Sequence, residues 1–320
     1  MDGKVRWMSM AIRKTTALLA ALFLFCSLAS AVSAETVKFK GVTVDRDTEY
    51  VDMGKRDIMD WDGFFTFLSS LPNLKKVDMF STVVSLQNYR KLNEMFPQVE
   101  FGCRFRYGQH KACTSDTAFS TLWAGGQKLH TYDEIAMLRW CKNLYALDIG
   151  HHPVKKLDFL YDLPELRVLI VAICDVTDLT PIASLKHLEY LEIFHNSVTD
   201  LTPLSDLPYL MDLNLVKNYV SDLSPLKKNT RLKRLWIWSC DQSDPDAPTA
   251  ETVADLQAAL PDCHIDYTHT STAGGWRSHP HYDTIFRMFR KHTYEPFDDS
   301  EPENMPEPWR SERLKEQGNP

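Results

Sequence analysis

The 320-residue chain lacks any surplus of positive charge: 36 Lys and Arg stand against 43 Asp and Glu, a formal net charge of −7. That excludes the broad basic footprint on which nonspecific nucleic-acid binding depends, so no nucleic-acid partner is expected. The seven cysteines form no Cys-x-x-Cys, which leaves a zinc ribbon without its ligands. Gly-x-Ser-x-Gly, His-Glu-x-x-His and a phosphate-binding P-loop are missing too. No catalytic set, cofactor or metal site is therefore expected. There is no Leu-Pro-x-Thr-Gly sorting motif and no apolar C-terminal stretch that would span a bilayer.

The one long apolar run comes first. Lys4, Arg6, Arg13 and Lys14 precede an apolar or small stretch, Thr15–Ala31, and Val32-Ser33-Ala34 offers small residues for cleavage. This predicts an export signal over 1–34 and a secreted or cell-surface protein. An uncleaved signal would be its only membrane attachment. Phe25-Cys26 lacks the small residue that precedes a lipid-modified Cys.

A 22-residue echo fills the middle. Leu144, Leu166, Leu188, Leu210 and Leu232 open successive units, followed at three and five positions by Leu147/Ile149, Leu169/Val171, Leu191/Ile193, Leu213/Leu215 and Leu235/Ile237. Eight positions on stand His152, Cys174, Asn196, Asn218 and Cys240. The alternation predicts a strand with one buried face, and Asn or Cys fills the bend after it. Asp178-Leu179-Thr180-Pro181-Ile182 recurs at 200–204 and 222–226, where Ser or Thr before Pro predicts a short 3₁₀ turn capped by the hydroxyl. The pattern is that of a leucine-rich repeat, whose stacked coils share one apolar interior. Over 144–240 it resembles the internalin-type repeats of bacterial surface and secreted proteins. The resemblance implies an α/β fold: a right-handed leucine-rich repeat solenoid with a concave parallel β-sheet, a helical or 3₁₀ convex side, and a protein-binding role.

Before the regular block, Val51-Asp52-Met53 and Val77-Asp78-Met79 repeat a tripeptide around helix-like spacing at 61–71, and a second such stretch covers Tyr89–Phe96. The chain divides into an export signal (1–34), helix-containing repeats and cap (35–107), an insertion with a connecting helix (108–143), regular repeats (144–240), a C-terminal cap (241–292) and an acidic, Pro-rich tail expected to lack order (293–320). The helix expected at about 249–260 would cover the last coil. Cys103 and Cys113 lie symmetrically about Gly108, which makes them a candidate disulfide across a hairpin. Cys174 and Cys240 read as buried ladder residues.

Strand positions between the core leucines should face a ligand. Tyr190, Glu192, Phe194, His195, Asn214, Trp236 and Trp238 are the candidate binding residues, for aromatics on a rigid surface anchor protein interfaces. The partner expected is a protein or peptide; a glycan stacked on the aromatics is an alternative. A Trp236→Ala/Phe194→Ala variant should lose its partner at unchanged melting temperature. Against this stands the possibility that Trp236 and Trp238 rest under the C-terminal segment with its Trp276. His151 and His195 occupy equivalent slots two coils apart, roughly 10 Å by strand spacing, too far to share a metal. Residues 274–283 contain His279, His281 and Asp283 and admit two readings. One is an enzyme or accessory subunit that uses them; the other is a structured turn leading into a short helix with Ile285, Met288 and Phe289 on its apolar face.

Overall fold

The computed structural model describes residues 35–107, 110–121, 129–238, 247–272 and 275–297. Residues 1–34, where an export signal is expected, Gly108, Gly125, Gly126, Cys240, Gly274 and the tail beyond Phe297 lie outside the described residues.

The chain opens with an antiparallel hairpin of β1 (Thr36–Phe39) and β2 (Val42–Asp45). The tripeptide echo then appears as structure. β3 (Tyr50–Asp52), β4 (Lys76–Val84) and β5 (Glu100–Tyr107) pair in parallel, with Val51 opposite Val77 and Val77 opposite Phe101. Helices α1 (Trp61–Ser69) and α2 (Leu86–Met95) connect them, capped by the side chains of Asp60 and Ser85. Gly102 is dictated by packing: a Cβ there would lie 2.2 Å from Asp78 Oδ1 and 2.7 Å from the Phe80 ring. β6 (His110–Cys113) returns antiparallel on β5 and forms the edge of this sheet.

That hairpin corrects the disulfide expectation. Tyr107 pairs with His110 and Arg104 with Cys113, so the symmetry axis falls half a residue past Gly108. Cys103 is then out of step by one residue and lies on the opposite face of the pair. It is buried, its amide donates to Thr114 Oγ1 (2.9 Å), and both cysteines are free thiols. Burial pushes the Cys103 pKa well up.

Among the described residues the long sheet has seven parallel strands. They are β7 (Ala118–Ser120), β8 (Ala146–Asp148), β9 (Val168–Ile170), β10 (Tyr190–Glu192), β11 (Asp212–Asn214), β12 (Arg234–Trp236) and β13 (His264–Asp266). Register stacks Phe119, Leu147, Leu169, Leu191, Leu213, Leu235 and Ile265 into a single row. The five leucines of that row are fully buried. The ribbon therefore begins inside the segment read as an insertion. α3 (Tyr132–Ile135) follows there, opened by a capping box of Thr131 and Glu134. α4 (Ala250–Ala259) precedes β13, and Thr249 caps it.

The bends explain the repeat. Asn196 Oδ1 accepts from the amides of Cys174 and Val176 (both 3.0 Å), and its Nδ2 donates to the carbonyls of Val171 (2.7 Å) and Ile193 (3.0 Å). Asn218 makes the same kind of ladder one coil on. Each ladder side chain satisfies backbone groups that the turn would otherwise bury unpaired. Among the described residues, the one before it is left-handed in four successive coils: His151, Ile173, His195 and Lys217 have φ of 65°, 56°, 54° and 62°.

The 3₁₀ turns occur at Thr180–Ser184, Thr202–Leu204 and Ser224–Lys228. Their caps differ from expectation. The hydroxyls do not cap; instead Asp178, Asp200 and Asp222 each accept the amide two residues on at 2.8 Å, an Asx turn that leads into each 3₁₀ turn.

Candidate functional site

Every second strand residue points away from the leucine interior, which gives the ribbon an outer face. One column of it runs Ala146, Val168, Tyr190, Asp212, Arg234; the next runs Asp148, Ile170, Glu192, Asn214, Trp236. These residues are buried, because residues 275–297 of the same chain lie across them.

That segment contains α5 (Pro280–Lys291). His279 is its N-cap, Pro280 takes the first helical position, Arg290 and Lys291 sit in the last turn, and His292 closes it in a left-handed conformation. His281, Thr284, Ile285 and Met288 recur at helical spacing and form the buried face. Ile285 and Met288 join a second apolar cluster with Ala146, Val168 and Ile170, distinct from the leucine interior.

Polar anchors hold the start of the segment. Trp276 is buried; its Nε1 donates to the Tyr190 hydroxyl (2.8 Å) and Glu192 Oε2 (3.1 Å), and Tyr190 donates in turn to Glu192 (3.0 Å). Arg234 Nε donates to Asp212 Oδ1 at 2.5 Å, His281 Nδ1 donates to Asp212 Oδ2 at 2.5 Å, and the Arg234 guanidinium lies 4.1 Å from the Trp276 ring centroid. Burial alone would raise the Asp212 carboxyl; Arg234 and His281 outweigh it and hold it well below the usual carboxylate range. Burial, reinforced by Arg234, pushes His279 down to about 2. A neutral ring fits its role, since His279 Nδ1 accepts the His281 amide at 3.1 Å. Burial raises the Glu192 carboxyl despite its hydrogen bonds. At the far end the Thr117 amide donates to the His292 carbonyl, and Tyr294 donates to Glu189 (3.2 Å).

Of the candidate binding residues, Tyr190, Glu192, Asn214 and Trp236 thus lie under the chain's own C-terminal segment. Phe194 and Trp238 are half-buried at its margin, and His195 is exposed at its turn. Trp236 is 1% exposed and packs on Trp276 and His269, so removing it cannot leave the melting temperature unchanged, as the sequence reading supposed. Among the described residues, Asn214 Nδ2 and Trp236 Nε1 find no acceptor, so this occupant leaves two buried donors unmet. His281 meets the ribbon at Asp212, with His279 buried against its ring, whereas Asp283 is exposed. Sequence reasoning passed over Asp212 and Arg234. Their signal was opposite charge at equivalent outward positions one period apart.

Beside the segment a cavity of about 660 Å³ stays open, floored by Ser120, Asp148 and Ile170 and walled by Arg277, Phe286 and Arg290. A second, of about 430 Å³, adjoins it through Lys111 and His292. Among the described residues no three His, Cys, Asp or Glu side chains cluster to hold a metal, and no helix is long and apolar enough to cross a membrane.

The architecture is that of a leucine-rich repeat solenoid. No family model matches the sequence, and no curated protein does. Solved structures similar to it include an internalin of Listeria monocytogenes (20% identity, 70% of this chain and 61% of that one, TM-score 0.38). Internalin C2 of the same organism (18%, 64% and 79%, 0.36) and a leucine-rich repeat protein of Leptospira interrogans (20%, 62% and 50%, 0.40) are two more. The chain spans less than two thirds of the first internalin's length. The likeness is one of fold.

Proposed function

We propose that this chain is an exported recognition module that binds a protein or peptide on the outer face of its parallel ribbon, with residues 275–297 forming part of the binding surface. The observation that carries this reading is that the ribbon already holds a polypeptide: Trp276, His281, Ile285 and Met288 are seated on it by aromatic, charged and apolar contacts. A surface that grips its own chain in this way has the chemistry to grip another, beside the first. Export rests on the basic and apolar pattern of residues 1–34.

The glycan alternative has less support, since Tyr190 and Trp236 offer no open ring face. An enzyme reading of 274–283 has less still, since His279, His281 and Asp212 are all buried and a substrate would not reach them. The test is a photo-crosslinking residue at Phe286, on the open cavity, with one at Tyr161, which the cavity does not include, as control. Exposed to culture fluid and cell-surface proteins, position 286 should form protein adducts that position 161 does not. Glycan-array hits without protein adducts would overturn the reading. N-terminal sequencing of the chain from culture fluid should begin near residue 35.

A further inference from the structure

We infer that the cavity of about 660 Å³ beside α5 is a site for a small aromatic anion, a flat ring that carries an oxyanion such as a carboxylate. The inference goes beyond the proposed function, which concerns a polypeptide on the ribbon.

The shape of α5 makes the case first. A helix seated on a ribbon needs one apolar face, and His281, Thr284, Ile285 and Met288 form the buried one here. Tyr282, Phe286 and Phe289 recur at helical spacing as a second row, and that row lines the cavity. Phe286 is 53% exposed, and Tyr282 and Phe289 are half-buried. Aromatic side chains open to a cavity offer a ligand ring stacked and edge-to-face contacts. The volume falls within the range of about 300–1,000 Å³ that small-molecule sites occupy.

Charge then selects among ring compounds. On a chain of net charge −7, cations stand at both ends of the aromatic row. The Arg277 guanidinium lies 5.5 Å from the Tyr282 ring centroid, and Arg290 follows Phe286 by one helical turn. Lys111 joins them from β6. Among the described residues none of these three has an ion-pair partner. Asp148 is the one acid among the described lining residues, and both its oxygens are taken: Oδ1 by the Gly150 amide (2.9 Å) and Oδ2 by the Ser120 hydroxyl (2.8 Å). Its burial raises its pKa, which reduces the opposing charge. A guanidinium fork matches the paired oxygens of a carboxylate. A ring bearing that group meets the aromatic row and the cations together. An inorganic anion would leave the rings unused, and an uncharged ring would leave the cations unused.

The neighbouring backbone favours a compact ligand over an extended chain. On β6, the Cys113 amide donates to Asp116 Oδ2 (2.8 Å), and the Cys113 carbonyl accepts the Asp116 amide (2.9 Å). A strand laid along that edge would find those groups occupied. The ligand is therefore held by side chains.

The test is isothermal titration calorimetry of the full chain with naphthoate. Naphthalenemethanol supplies the ring without the charge, and acetate the charge without the ring. Naphthoate should bind about tenfold or more tighter than either. Arg277→Gln with Arg290→Gln should weaken it about tenfold, whereas Lys228→Gln, on a 3₁₀ turn that the cavity does not include, should not. If the double variant melts early, Arg290→Gln alone, at an exposed helix position, should shift affinity in the same direction. Benzoylbenzoate, a photoreactive aromatic carboxylate, should leave its adducts on residues 282–290. Equal affinity for naphthalenemethanol would overturn the anion assignment, and equal affinity for acetate the aromatic one. Adducts confined to other segments would overturn the site. No binding of naphthoate would overturn the inference and leave the recognition module to its own test, the protein adducts at position 286.

Discussion

Over β10 to β12 the outer face carries Tyr190, Glu192, Asp212, Asn214, Arg234 and Trp236; over β7 to β9 the equivalent positions carry Ala118, Ser120, Ala146, Asp148, Val168 and Ile170. The backbone of the two regions is the same repeat. The large polar set interlocks with Trp276 and His281 and is sealed. The apolar members of the small set pack with Ile285 and Met288 of α5, and beside them a cavity is left. Side-chain size on a uniform ribbon thus decides which part the chain completes for itself and which part it leaves open.

Breaking the sealed region should give the largest effects. Asp212→Ala leaves Arg234 buried without its carboxylate and should cost about 3–5 kcal/mol in denaturant unfolding. If Asp212→Leu with Arg234→Met recovers most of that loss, the pair specifies the docking more than it stabilises it. Trp276→Ala removes a buried indole and should cost about 3–5 kcal/mol, with proteolysis newly appearing within 275–297. Leu213→Ala, in the shared interior, should cost about 2–5 kcal/mol and affect both regions alike.

Acid should loosen the sealed region next. His279 has a folded pKa far below its ordinary 6.5, so its contribution is whole above 6.5 and is lost as pH falls toward 2. The slope is at most about 1.4 kcal/mol per pH unit for one proton. Glu192, raised by burial, acts in the opposite sense: its share is whole below its ordinary value and fades as pH rises. His279→Asn keeps a capping acceptor and removes the titration, so the difference between its melting curve and that of the parent across pH 7 to 5 isolates the imidazole. Identical curves would mean that His279 titrates normally.

The smallest stability effect belongs to the open region. Phe286→Ala should change stability by less than about 0.5 kcal/mol while weakening ligand capture. A large loss of stability would place Phe286 in the sealed surface.

The interior was legible because it is written locally: a 22-residue spacing of leucines implies a shared row, and Leu147 to Leu235 form it. The tripeptide at 51–53 and 77–79 likewise became strand register. What covers a strand face is not local. Trp276 contacts Tyr190 across 86 residues, and no periodicity records such a meeting. Asp212 and Arg234 went unnoticed for the same reason: their meetings with His281 and Trp276 span 69 and 42 residues. The Cys103–Cys113 error was a single residue of hairpin register, enough to send one thiol to the other face.

Amide hydrogen exchange across residues 280–291 tests the docking of the C-terminal segment most directly. Slow exchange there, approaching that of β10 and β11 and lost in Trp276→Ala, is the result expected for a helix seated on the ribbon. Fast exchange of α5 in the unaltered chain, with β10 and β11 still protected, would mean that the outer face is bare and that the sealed region does not exist.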